Sequence, residues 1–251
     1  RSGNYNMSQY QYKTRAELKN LAKDKLQGKY GVVILMNLAL GSFHLLVLLI
    51  QSMVNPTGLP AYIGYVALSV MLSVLLGIFN AGTALYYLNI LCGQPFSLQD
   101  LFFGFKDPSG KCLKISAVIS LADLFFSIPS LYFSYLFMTT PGTAWNLLLY
   151  SSIAQVAASV LMLPISLMLS QSFYLVLDYP QLSAKDTMKL SIRKMKGHKW
   201  RLFCLQLSFI PLWIAVVFTL GIGAMWLVPY EQMTYACFFM NLMAPERSMY
   251  V

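Results

Sequence analysis

The chain has 251 residues, of which 57% are hydrophobic and 11% are charged, and it carries a formal net charge of +9. Soluble domains contain about a quarter charged residues, so this composition excludes an ordinary soluble domain and indicates a membrane protein. The positive charge lies in strips beside apolar segments, which favours anionic phospholipids as partners and argues against nucleic acid.

Five apolar segments are long enough to cross about 30 Å of hydrocarbon, which takes roughly 20 helical residues. We predict an all-α fold: a polytopic transmembrane helical bundle of about five spans, with amphipathic in-plane helices on the cytoplasmic face. Because Pro164 interrupts the fourth span, that helix is expected to be kinked or tilted. One transmembrane domain is predicted over residues 30–243, with spans at 30–54, 62–91, 115–138, 145–177 and 200–228.

The basic residues predict the orientation of these spans. Seventeen of the 18 Lys and Arg residues lie in three stretches: before the first span, between the second and third, and between the fourth and fifth. The alternate connections, residues 55–60 and 139–144, carry no charge. Basic loops resist translocation, so we expect a cytoplasmic N-terminus and, with five crossings, a C-terminus on the outer side.

Each basic stretch also begins like an amphipathic helix, with a Ser or Thr followed three residues later by an acid. These pairs are Thr14 with Glu17, Ser97 with Asp100 and Ser183 with Asp186. The predicted helices cover residues 14–29, about 97–105 and 183–199. A further helix at 231–243 is predicted on the outer surface, residues 1–13 as a disordered or extraneous start, and 244–251 as a tail.

The third basic stretch is the candidate site for anionic lipid headgroups. Each cation beside a negatively charged leaflet contributes about 1 kcal/mol to binding. The alternative is that Gly197–Trp200 is purely an architectural elbow between an in-plane helix and a span. The candidate anion-binding residues are Lys185, Lys189, Arg193, Lys196, His198, Lys199 and Arg201.

Asp123 is the only acidic residue predicted well inside a span. A charge at that depth is costly, so we expect the side chain to face the bundle interior or a water-filled cavity. One interpretation is a proton or cation site, and the alternative is a carboxyl group that only ties helices together. A protonated Asp123 could donate to the carbonyl of Phe125, which Pro129 leaves without its helical partner.

Motifs for chemistry are missing from the sequence. Neither the metalloprotease pattern H-E-x-x-H nor the hydrolase pattern G-x-S-x-G occurs, and His44 and His198 are too far apart in the sequence to suggest a zinc site. His44 is interpreted as a structural histidine. No catalytic residue, metal site or cofactor is therefore predicted.

The last third of the chain resembles a known family. The residues that carry the resemblance are Leu177-Asp178-Tyr179-Pro180, Met195-Lys196-Gly197-His198-Lys199-Trp200-Arg201-Leu202-Phe203, Gly221-Ile222-Gly223 and Pro229-Tyr230. They are similar to the domain-of-unknown-function-975 family of integral membrane proteins, found mainly in Gram-positive bacteria. Residues 17–31 match more weakly. The resemblance implies a bacterial plasma-membrane protein and supplies no established activity.

Three functional hypotheses follow. The first is a non-enzymatic membrane protein that binds a lipid or another amphiphile, or serves as an accessory subunit in envelope transport, peptide export or immunity. Its expected partners are anionic phospholipids, together with another membrane protein or further copies of the chain. The second is a small proton-coupled secondary transporter that uses Asp123, and the third is an intramembrane enzyme.

Overall fold

A computed structural model of the protein describes residues 12–106, 110–140 and 145–247. The described residues form α-helices and one short 3-10 helix, with no β-strand among them, which confirms the all-α prediction. The helices are α1 (Arg15–Leu26), α2 (Tyr30–Met53), α3 (Leu59–Cys92), the 3-10 helix (Leu98–Phe102), α4 (Phe103–Lys106), α5 (Lys111–Thr139), α6 (Trp145–Leu169), α7 (Ser172–Asp178), α8 (Ala184–Met195), α9 (Lys199–Leu207), α10 (Ile210–Phe218) and α11 (Ala224–Arg247).

Five helical segments are long and apolar enough to span a membrane, as the sequence predicted. Only 11–22% of the residues in their most apolar windows are buried, so most of these apolar side chains face outward, as contact with acyl chains requires. The protein is therefore a multi-pass membrane protein. The five segments are Tyr30–Met53, Leu59–Cys92, Lys111–Thr139, Trp145–Asp178 and Lys199–Phe218.

The chain forms two compact units. Unit 1 contains Arg1–Leu38, Tyr86–Leu98 and Trp200–Val251, and unit 2 contains Ala39–Leu85 and Gln99–Lys199. Helices α2 and α3 each contribute to both. The range 30–243, predicted to be one domain, is therefore divided between two units, and unit 1 joins segments from both ends of the chain.

Close backbone packing and small polar contacts hold unit 2 together. Gly82 on α3 is required because a Cβ atom there would lie 2.1 Å from the carbonyl oxygen of Leu101 in the 3-10 helix. Between α5 and α6, the hydroxyls of Ser134 and Ser151 are 2.7 Å apart. Helix α6 continues through Pro164, and the interruption before α7 lies at residues 170–171 instead.

Two of the three predicted helix starts are observed as predicted. In α1 the hydroxyl of Thr14 accepts a hydrogen bond from Glu17 N, and the Glu17 carboxylate accepts one from Thr14 N. In α8, Ser183 accepts a hydrogen bond from Asp186 N at 3.2 Å. The second stretch differs from the prediction, because the 3-10 helix followed by the four-residue α4 replaces one continuous helix over 97–105.

The predicted outer-surface helix at 231–243 requires correction. It is part of α11, which begins at Ala224 and packs against α1. The two helices lie side by side, and just before α1 the backbone N–H of Lys13 donates to the side-chain oxygen of Asn241 at 3.2 Å. The cause is that the apolar segment 200–228 does not form one helix: α10 ends at Phe218, and the chain reverses before α11. Residues 231–243 therefore lie beside the basic N-terminal helix and not across the membrane from it.

Candidate functional site

Helices α9, α10 and α11 form a helical hairpin within unit 1. The ring of Phe209, at the junction of α9 and α10, is 5.4 Å from the ring of Tyr230 on α11. Further along, the indole N–H of Trp213 donates to the Glu231 carboxylate at 3.1 Å. The reversal is made by residues 219–223, where Gly221 has φ +88, a left-handed conformation that favours glycine.

Helix α1 docks on this hairpin through a lysine. The Lys19 ammonium donates to the carbonyl oxygen of Ser208 at 2.9 Å. That oxygen is available because the N–H of Leu212, its α-helical partner four residues on, donates to Phe209 O instead. The break between α9 and α10 thus leaves the acceptor that fixes α1.

A cleft of about 900 Å³ opens between α1 and the hairpin. This volume lies within the range of roughly 300–1,000 Å³ that is typical of small-molecule sites. The end of the cleft formed by α1 and the start of α2 is polar, and the side formed by the hairpin is mainly apolar. The polar residues from α1 to α2 are Lys19, Lys23, Asp24, Gln27 and Tyr30; the hairpin contributes Ser208, Leu212, Ala215, Val216, Thr219, Gly223, Trp226, Leu227 and Tyr230.

The charge at the polar end is positive, since two lysines outnumber Asp24 there. Lys23 places its ammonium 5.5 Å from the centre of the Tyr230 ring. Burial lowers the pKa of the Lys19 ammonium below its ordinary value, and the neighbouring charges of Lys23 and Arg15 lower it further. An anion bound in the cleft would offset that repulsion, so the electrostatics favour an anionic ligand.

The predicted anion-binding residues lie elsewhere. Lys185, Lys189 and Arg193 are exposed on α8, which buries its opposite side, including Ala184 and Thr187. Lys196 is exposed just after α8, and His198 and Lys199 are partly exposed. These six residues belong to unit 2, whereas Arg201 belongs to unit 1.

Arg201 is engaged by the protein itself. Its guanidinium donates to the carbonyl oxygen of Lys13 at 3.1 Å and to the side-chain oxygen of Asn241 at 3.2 Å. It also lies 4.6 Å from the centre of the Tyr12 ring. Arg201 therefore connects the segment before α1 to α9 and α11, a structural role that the sequence did not indicate.

The expectation for Asp123 is corrected. The side chain is exposed on the surface of α5 and does not face the interior of its unit or a cavity. Helix α5 instead turns Ser127 and Ser130 inward. Among the described residues, no group of three or more His, Cys, Asp or Glu is placed to hold a metal ion.

Sequence reasoning missed Lys19 and Lys23 as site residues. The available signal was their four-residue spacing, which places both on one face of α1. The two lysines line a cleft only because α11 packs against α1. Residues 200–228 read as one apolar segment, so the sequence does not show the turn at residues 219–223 that brings α11 back.

Residues 7–246 match the family model described as "Protein of unknown function (DUF975)". The chain belongs to this family. The DUF975 match covers nearly the whole chain, and so includes α1 and the hairpin that together form the cleft. No curated protein and no solved structure matches the chain. The family description names no activity, so a functional proposal for this DUF975 protein depends on the chemistry of the cleft.

Proposed function

We propose that this protein is a non-enzymatic, multi-pass protein of the bacterial plasma membrane that binds an anionic amphiphile, such as a phospholipid, in the cleft of unit 1. The N-terminus and α1 would lie on the cytoplasmic side. The observation that supports the proposal is the division of one cleft into a cationic end and a mainly apolar side.

The chemistry of the two parts matches the two parts of an amphiphile. An anionic headgroup would lie near the Lys23 ammonium, while an acyl chain would follow Leu212, Val216 and Leu227 on the hairpin. An acyl chain leaves one apolar environment for another, so packing against the hairpin would hold the chain in place and the lysines would supply selectivity for charge.

The role of such binding is also a proposal. Because α1 and the hairpin both line the cleft, an occupied cleft would stabilise the contact between the two ends of the chain. If a bound amphiphile stabilises unit 1 in this way, the protein would suit the role of an accessory subunit in envelope transport, peptide export or immunity. The exposed cations of α8 would provide a general attraction to anionic lipids.

The test is lipid binding to purified protein, measured by native mass spectrometry with phosphatidylglycerol and phosphatidylcholine. Lys23→Gln removes one charge from the cleft, and Lys189→Gln removes one from the exposed side of α8 as a matched control. Lys23→Gln is expected to weaken phosphatidylglycerol binding by about fivefold, which corresponds to roughly 1 kcal/mol for one cation. Lys189→Gln is expected to leave it within about twofold.

A second variant tests the apolar side of the cleft. Ala215→Phe places a ring in the cleft without changing charge, and it should reduce binding of both lipids because the acyl chain loses its space. The proposal is contradicted if Ala215→Phe and Lys23→Gln both bind like the parent while Lys189→Gln does not. That result would assign headgroup binding to α8.

A further inference from the structure

The tip of the α10–α11 hairpin exposes large apolar side chains. Val217 is 73% exposed, Phe218 84% and Leu220 93%, although all three lie where the chain reverses. Soluble surfaces rarely present such a contiguous apolar protrusion, and it requires an apolar environment. Lys199–Phe218 also has the length and hydropathy of a membrane-crossing helix, so a membrane is the natural environment for this tip.

The docking of α1 limits how deep the hairpin can go. Helix α1 carries charges along its length, among them Arg15, Glu17 and Lys25, and such side chains avoid the hydrocarbon region. Its Lys19 ammonium is bonded to Ser208, immediately before α10. The level of Ser208 must therefore be the membrane interface or the water beyond it.

Helix α10, which follows Ser208, is too short to reach the opposite face of the membrane. Helix α10 has nine residues, Ile210–Phe218. At 1.5 Å per residue it extends about 14 Å, roughly half of the 30 Å thickness of the hydrocarbon. The chain then reverses at residues 219–223, and α11 returns to pack against α1.

We propose that residues 210–227 form a re-entrant hairpin that inserts into the leaflet on the side of α1 and ends inside the bilayer. Its partner is the acyl-chain layer of that leaflet. Trp213 on α10 and Trp226 on α11 flank the hairpin, and both side chains are partly exposed, as residues that contact lipid must be. The fifth apolar segment thus anchors unit 1 in the membrane without crossing it, independently of whether the cleft binds an amphiphile.

The test is the accessibility of engineered cysteines to a membrane-impermeant maleimide, in intact cells and in inverted vesicles. Leu220→Cys reports the tip. Thr57→Cys lies in the uncharged connection between α2 and α3, which the distribution of basic residues predicts on the side opposite the N-terminus. Thr57→Cys should react in only one of the two preparations. In that preparation Leu220→Cys should react at least tenfold more slowly than Thr57→Cys. In the other preparation Leu220→Cys should react at the same slow rate.

Two outcomes overturn the proposal. Fast labelling of Leu220→Cys from the side that labels Thr57→Cys would show that the segment crosses the membrane. Fast labelling from the opposite side would show that the tip lies in water.

If Leu220→Cys does not accumulate, Phe218→Cys gives the same comparison. Quenching of a fluorophore on either cysteine by spin-labelled lipids then reports depth, and the proposal requires quenching between the interface and the midplane.

Discussion

The Lys19 ammonium lies 4.1 Å from the centre of the Phe209 ring. A lysine placed over an aromatic ring in this way contributes about 0.5–2 kcal/mol, depending on how far the pair is removed from water. The contact joins a helix that precedes the first apolar segment to a residue inside the fifth. It makes α1 a packed part of unit 1, with Leu18, Ala22 and Leu26 buried.

Removing the Lys19 charge should loosen α1. In Lys19→Met the carbonyl of Ser208 loses its donor and the ring of Phe209 loses its cation, while the aliphatic stem is retained. We expect docking of α1 to weaken by about 1 kcal/mol, the usual scale for one hydrogen bond. Limited proteolysis within α1 should accelerate by roughly fivefold. Lys189→Met, an exposed lysine on α8, is the matched control, and equal rates for the two variants would contradict this account.

Gly82 should not tolerate a side chain. A Cβ atom there would lie 2.1 Å from Leu101 O, a backbone atom that cannot rotate away. Gly82→Ala should therefore destabilise the protein by about 1–3 kcal/mol, despite the better helix propensity of alanine. Gly64→Ala, on the same helix with open space around the added atom, should be neutral or slightly stabilising. Thermal unfolding in detergent measures both, and equal melting temperatures would refute the predicted contact.

Cysteine reactivity should report the packing of α11 on α1. Burial raises the pKa of the Cys237 thiol to about 12, whereas Cys92 is exposed at the end of α3. At pH 8 the Cys237 thiol stays protonated and shielded, so maleimide should modify Cys92 first and Cys237 only after unfolding. Peptide mass spectrometry distinguishes them. Modification of both at the same rate in folded protein would show that α11 is not packed as described.

The same thiol gives a pH dependence with a defined sign. Its pKa in the folded protein is raised from the ordinary 9.0 to about 12, so the unfolded chain loses this proton first as pH rises. The stability associated with the buried, neutral thiol is present below pH 9 and is lost between pH 9 and about 12. Cys237→Ala should make unfolding less sensitive to pH above 9. An unchanged pH profile would contradict the burial of this thiol.

Asp123 should contribute little to folding. The side chain is exposed and, in the part of the chain that the structure describes, it makes no hydrogen bond that Leu would break. Asp123→Leu should melt at or above the temperature of the parent in detergent, since an apolar side chain suits a surface that faces lipid. Asp123→Asn should melt at a temperature similar to that of the parent. A clear loss of stability in Asp123→Leu would restore the prediction of an internal polar partner for this carboxyl.

Local features of the fold could be predicted from sequence because their causes are local. Thr14 and Ser183 cap helices through residues only three positions away, and the lengths of the spans follow from runs of apolar residues. The reversal after Phe218 could not be predicted in this way. Residues 224–243 are mainly apolar, and an apolar helix can face either lipid or a protein core. The packing of α11 against α1 and α10 distinguishes the two.

The site was less predictable than the fold. The density of cations in the third basic stretch predicts an anion site there, whereas the cleft of unit 1 is lined by Lys19 and Lys23 of the first basic stretch. The orientation of Asp123 depends on how α5 rotates to pack Ser130 against α6, a tertiary choice that hydrophobic periodicity does not encode. Long-range packing therefore decided the position of α11, the residues that line the cleft and the orientation of Asp123.

The most direct test of the account is to map where an anionic lipid binds. Phosphatidylglycerol with a photoreactive group near the end of one acyl chain would be added to purified protein, crosslinked, and located by peptide mass spectrometry. The account predicts saturable crosslinks between Leu212 and Leu227 that unlabelled phosphatidylglycerol displaces, that phosphatidylcholine displaces poorly, and that Lys23→Gln reduces. Crosslinks spread over the exposed faces of α2, α5 and α6, without saturation or headgroup preference, would contradict it.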